Sequence, residues 1–208
     1  MQTDSTDRNR GVLGLVLAGG RAQRLGGVDK ALVMLGGRPL LAHAIARLQP
    51  QCGALALSAN GDAARFSAFG APVVADDITG FAGPLAGLAA GLDFARDQGF
   101  DRVVTLAVDT PFAPADLVAR LEDARRAAGA EIATAASNGN RHHVVTLWPT
   151  SLAADMRRAL ATGQGGVGRF CAGYRSVAVE WPSAPVDPFF NINAPEDLVA
   201  AEAFLHAR

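Results

Sequence analysis

Three short apolar runs limit the folds open to this chain: "VLGLVLA" (12–18), "ALALSA" (54–59) and "VVTLAV" (103–108). None alternates apolar with polar residues, so each reads as a strand buried on both faces. Between them lie stretches with helical spacing: Leu40, Leu41, Ala44, Ile45 and Leu48; then Leu85 to Phe94; then Leu117, Val118 and Leu121. Strand alternating with helix predicts an α/β fold, a Rossmann-like three-layer domain with a mostly parallel central sheet. Ligands of such sheets bind outside the carboxyl ends of the strands. "EIATAAS" and "HHVVTLW" read as later strands that extend the sheet and frame a second substrate.

Helix starts are signalled by Pro39, Pro84, Pro114 and "NAPEDL", in which Asn193 precedes Pro195 and Glu196. The glycine- and proline-rich "TGQGGVGRF" (162–170) and "WPSAPVDP" (181–188) read as irregular connections. With 208 residues, 50% of them hydrophobic, the chain can bury a full core, which predicts one domain over 11–208 behind a loose polar tail at 1–10.

Nineteen basic residues balance twenty acidic ones, which argues against a broad nucleic-acid or membrane surface. Cys52 and Cys171 are far apart and lack metal-ligand or redox spacing, the usage of a reducing compartment. No apolar run approaches the ~20 residues that span a bilayer, and the first ten residues lack the apolar centre of a secretory signal. A soluble cytoplasmic protein is expected.

The stretch "LAGGRAQRLGGVDK" (17–30) follows the first strand. Gly19 and Gly20 leave backbone amides free to face an anion, and Arg21, Arg24 and Lys30 add positive charge. Neither the G-x-x-x-x-G-K-[ST] nor the G-x-G-x-x-G spacing is present; the alternative is a flexible turn with solvated basic residues.

Asp109 closes "VVTLAV" at another strand end. Magnesium needs only one or two protein carboxylates beside substrate phosphates, so a lone aspartate can hold it; the alternative is a cap for the turn that follows. Asn60 and Asp76 also follow apolar runs, and each could be an ordinary turn residue.

Gly83, Gly87 and Gly91 bare one helix face, either for packing on the sheet or for ligand approach, and only the helix start at Gly83 and Pro84 could offer amides to an anion. His142 and His143 are consecutive strand residues that face opposite ways, which disfavours a paired-ligand role. The arginine pairs 125–126 and 157–158 read as solvated helix faces.

Together these segments resemble the molybdenum cofactor guanylyltransferases of the MobA type. The resemblance rests on "LAGGRAQRLGGVDKAL", "GPLAGL" (83–88), "DTPFAPADL" (109–117), "HHVVTLW" (142–148) and "NINAPEDL" (191–198), in the family's order. It implies a nucleotidyltransferase of GT-A-like architecture that moves GMP from GTP to the phosphate of molybdopterin, or of molybdenum-molybdopterin, and releases pyrophosphate. By matching motif positions it implies that Leu17, Ala18, Gly19, Lys30, Asn60, Asp76 and Asp109 contact GTP. Asp109 would also hold magnesium, Arg24 would face a phosphate, and Lys30, Arg24 and Asp109 would form the catalytic set. Asn191 and Asn193 would meet the pterin. Transient contacts with cofactor-biosynthesis proteins and recipient molybdoenzymes follow from the same resemblance.

The chain departs from the family at "GQGGVGRF", which has only Arg169 where adjacent arginines are familiar, and at Ala194, where threonine is common. Rival readings are a cytidylyltransferase for the same pterin, a sugar-phosphate nucleotidyltransferase, and a carrier of the finished cofactor. Intact Lys30 and Asp109 weigh against the carrier.

Overall fold

In the computed structural model, which describes residues 11–19, 21–22, 28–77, 83–163 and 165–206, strand β1 (Val12–Leu17) sends side chains into two separate cores. Val12 and Val16 enter one, Leu13 and Leu15 the other. A strand buried on both faces belongs in the middle of a sheet.

Two short ribbons follow it, β2 (Arg21–Ala22) with β3 (Val28–Asp29) and β4 (Met34–Leu35) with β5 (Arg38–Pro39). The main sheet continues with β6 (Ala54–Ser58), β7 (Val73–Val74), β8 (Arg102–Ala107), β9 (Ile132–Ser137), β10 (Asn140–Pro149) and β11 (Ser176–Trp181). Its order is β11-β9-β10-β8-β1-β6-β7. All pairings are parallel except those of β10, which runs against both β8 and β9.

The chain thus leaves β1 toward β6 and β7, then returns to β8 on the other side of β1. Ligands of open α/β sheets bind at such a reversal of strand order.

Helices cover both faces. On one lie α1 (Leu40–Leu48), which buries Leu40, Leu41, Ala44 and Leu48, and after β8 comes α3 (Leu117–Ala127), which buries Leu117, Val118 and Leu121. The other carries α2 (Pro84–Asp97), α4 (Ala153–Ala161) and α5 (Val167–Cys171). The last helix, α6 (Pro195–His206), returns to the first face through Ala201. The expected three-layer α/β domain is therefore present. No helix among the described residues is long and apolar enough to cross a membrane.

Gly87 and Gly91 serve packing. A Cβ on Gly87 would overlap Ser58 Oγ, and one on Gly91 would overlap Leu15 Cδ2, so α2 can lie this close to the sheet only without side chains there.

Three features differ from expectation or add to it. The 162–170 segment is not irregular throughout: α5 begins at Val167, and its Val167, Phe170 and Cys171, at helical spacing, are buried. The arginine pairs are not simply solvated. Arg125 donates to both Glu122 oxygens at 2.9 Å and Arg126 to one at 2.7 Å, while Arg157 joins Asp93 at 2.6 Å and Asp77 at 3.0 Å. Glu122 stands three and four residues before its partners, the spacing that makes helix neighbours. Finally, β9 and β10 form a hairpin through Asn138 and Gly139, both at positive φ (50° and 72°), the signature of a type I′ turn that the dipeptide "NG" announces.

Candidate active site

The strand ends place the polar residues. Ala18 N donates to Ser58 O at 2.9 Å and Val108 N to Leu17 O at 3.1 Å, so β1 is laced to β6 and β8 up to its last residue. Leu17 and Ala18 therefore sit between two polar clusters, with exposed Gly19 just beyond.

On the β8 side, Lys30 Nζ donates to Asp109 Oδ2 at 2.6 Å and to Asn193 Oδ1 at 2.5 Å. The Lys30 and Asp109 side chains are only 15% and 16% exposed, so the charges are partly desolvated and hold each other strongly. Asp109 Oδ1 is buried and has no hydrogen-bond partner among the described residues. An ionised carboxylate oxygen left unsatisfied is costly and has room for a further ligand.

The approach of Asn193 has its own support. Ile192 N donates to Asp109 O at 3.0 Å, and Asp197 Oδ2 accepts from both Asn193 N and Ala194 N at 2.9 Å, closing the first turn of α6. That cap uses the backbone of Ala194, so its missing threonine hydroxyl is not needed for it. Asn191, also singled out from the sequence, is exposed and has no side-chain partner within the described residues.

On the β6 side, Asn60 and Asp76 pair reciprocally. Asn60 Nδ2 donates to Asp76 Oδ2 at 2.7 Å, and Asp76 N donates to Asn60 Oδ1 at 3.0 Å. They join the ends of β6 and β7, so neither is merely a turn residue.

Arg24 and Gly20 lie outside the described residues, as does the 1–10 tail. The start of α2 lies at the same edge, because that helix joins parallel β7 to β8. It has Gly83 at its N-cap without a side-chain cap, which leaves first-turn amides open to an anion.

Two residues in this region were not read from the sequence. Asp29 Oδ1 accepts from Ala31 N at 3.0 Å, capping the turn that carries Lys30. Arg65 Nε donates to Asp29 Oδ2 at 2.7 Å and its Nη2 to Asn60 O at 2.8 Å. Arg65 thus ties the Lys30 turn to the Asn60 loop. The adjacency of Asp29 to Lys30 is a local signal, whereas nothing local marks Arg65.

His142 and His143 do face opposite ways. His142 stacks on Phe189, and His143 lies against Gly168 of α5, where an added Cβ would meet its ring at 3.1 Å. Burial pushes the Cys52 and Cys171 thiols up to about 12 and about 11, which disfavours the thiolate form at both.

A family model for the MobA-like NTP transferase domain matches residues 14–178. Molybdenum cofactor guanylyltransferase from Bradyrhizobium sp. (strain ORS 278) is 52% identical over 194 residues, 92% of each chain. Its counterpart from Rhodopseudomonas palustris (strain BisB5) is 54% identical over 191 residues, 90% of this chain and 91% of the relative. The chain belongs to the molybdenum cofactor guanylyltransferase family.

Solved structures show the same fold. Molybdopterin-guanine dinucleotide biosynthesis protein A from Archaeoglobus fulgidus aligns over 94% of this chain and 100% of its own, with a TM-score of 0.75 at 24% identity. 2-C-methyl-D-erythritol 4-phosphate cytidylyltransferase from Thermus thermophilus aligns over 93% and 98%, with a TM-score of 0.67 at 24% identity. As a member of the guanylyltransferase family this protein is a nucleotidyltransferase.

Proposed function

We propose that the protein transfers GMP from GTP to the phosphate of molybdopterin, with or without bound molybdenum, yielding a guanine dinucleotide and pyrophosphate. The observation that carries this reading is the convergence of Lys30, Asp109 and Asn193, from three distant segments, at the carboxyl edge of β8. Leu17, Ala18, Gly19, Asn60 and Asp76 line the donor side, and Asn191 and Asn193 the acceptor side.

A phosphate monoester has a second pKa of about 6, so at neutral pH the acceptor is already a nucleophilic dianion. Its oxygen attacks the α-phosphorus of GTP; that P–O bond forms as the bond to the bridging α–β oxygen breaks, and pyrophosphate leaves. No general base is required. The task is to bring two polyanions together and neutralise them. Lys30 suits it, since its ammonium can exchange the Asp109 carboxylate for a phosphate oxygen while Asn193 keeps it in place. Arg24 adds a second positive charge.

Asp109 Oδ1, without a partner among the described residues, fits the hard oxygen donor that magnesium prefers. Magnesium bound there supplies charge neutralisation to the triphosphate.

Incubation with molybdopterin, magnesium and each nucleoside triphosphate in turn tests the reading. GTP consumption with one pyrophosphate per dinucleotide is expected. Consumption of CTP but not GTP, or transfer to a sugar phosphate alone, overturns it, and binding of the finished dinucleotide without turnover marks a carrier.

A further inference from the structure

β9 ends at Ser137, and after the hairpin turn β10 returns past it with His142. His142 Nε2 lies 2.7 Å from Ser137 Oγ, and Ser137 Oγ donates to Asp187 Oδ2 at 2.9 Å. A serine hydroxyl has a single proton. Because that proton goes to the carboxylate, the proton in the 2.7 Å bond belongs to His142 Nε2, and Nδ1 carries a lone pair.

Burial holds the His142 pKa below the ordinary histidine value, against the attraction of Asp187 and Glu180 and aided by His143, which favours the neutral ring. His143 Nδ1 is buried without a partner among the described residues; the His142 side chain is half-buried, and its Nδ1 has no partner among the described residues either.

The same network ends in the loop that serves the reaction centre. The His142 ring stacks on Phe189 with centroids 4.7 Å apart. Asp187 Oδ1 accepts from Phe189 N at 2.8 Å. Four residues further on, a span of at most about 14 Å, Asn193 meets Lys30, with exposed Asn191 between. His142 and Lys30 thus contact the two ends of the same short segment, 189–193.

We infer that His142 is a recognition residue for the acceptor: Nδ1 accepts a hydrogen bond from a ring N–H or amino group of a nitrogen heterocycle, and Ser137 and Asp187 are positioning residues that hold the required tautomer. This rests on the proposed acceptor side. A heterocycle that offered a lone pair at that point would be rejected, because neither partner could donate.

His142→Gln keeps a donor for Ser137 but has no acceptor where Nδ1 stood. Asp187→Asn can donate to Ser137 through its amide, turning the serine proton toward His142 and moving the histidine proton to Nδ1. Both variants are expected to raise the KM for molybdopterin about tenfold, leaving the KM for GTP within about twofold and the thermal midpoint unchanged. Nitrogen-15 NMR of the substrate-free protein is expected to show the Nε2–H tautomer in the wild type and the Nδ1–H tautomer in Asp187→Asn.

An unchanged molybdopterin KM in His142→Gln, equal rises for both substrates, or an Nδ1–H tautomer in the wild type overturns the inference. Should the variants not fold, the wild-type His142 Nδ1 resonance is expected to move when molybdopterin is added, and a fixed resonance overturns it. Absence of any product from wild-type protein overturns the proposed reaction as well, so the two failures are distinct.

Discussion

Lys30 and Asp109, 79 residues apart in the chain, form a hydrogen-bonded ion pair at 2.6 Å, and the same ammonium reaches Asn193. The pair holds a cation beside the proposed phosphate site, already partly stripped of water. Lys30→Ala removes it. Preorganised charge stabilisation of this kind is worth about 10²–10³ in kcat, and a loss of that size is expected in steady-state transfer assays. Full activity in the variant would remove Lys30 from the mechanism.

Asp109→Ala removes the buried oxygen assigned to the metal. Activity is expected to fall by about 10²-fold or more, and excess magnesium is not expected to restore it. In the wild type, chelation of divalent cations should abolish transfer and added magnesium should recover it. Transfer that persists in a chelator would overturn the metal assignment.

Arg65 joins the Lys30 turn to the Asn60 loop through Asp29 Oδ2 and Asn60 O. Arg65→Ala frees both segments without deleting a proposed ligand. The KM for GTP is expected to rise about tenfold, with the KM for molybdopterin nearly unchanged. Kinetics with each substrate varied separately would show the split.

Gly91→Ala sets helix propensity against overlap. Alanine favours a helix interior by up to about 1 kcal/mol, but the new Cβ would overlap Leu15 Cδ2, and Leu15 is wholly buried. Overpacking a core costs about 1–3 kcal/mol, so a net loss is expected as a lower denaturation midpoint. A stabilised variant would show that the helix and sheet can separate freely.

Glu122 is buried, which raises its pKa, yet Arg125, Arg102 and Arg126 bring it below the ordinary glutamate value. Its contribution to stability is therefore complete above that ordinary value and disappears as pH falls through the lower native one. Glu122→Gln is expected to cost about 2–3 kcal/mol at neutral pH. The difference from wild type should shrink in acid; a pH-independent difference in denaturant melts would assign the loss to packing instead.

Much of the fold was legible because burial on both faces leaves a local mark. "VLGLVLA" and "VVTLAV" are apolar without alternation, save for the buried Thr105, and Gly83, Gly87 and Gly91 recur at helical spacing. The family, too, was readable from short ordered motifs. The helix at Val167 was not legible because glycines crowd its start, and only the burial of Val167, Phe170 and Cys171 reveals its register. The hairpin did carry a local signal, the "NG" pair at its turn.

By itself the sequence determined an α/β chain with polar groups after its strands and motifs of a guanylyltransferase. It could not say which of those groups meet. Arg65 reaches Asp29 across 36 residues, Asn193 reaches Lys30 across 163, and Ser137 couples to Asp187 across 50. Such contacts carry no periodicity, since they depend on strand order and on the return of the final loop past β8. Tertiary structure decided them.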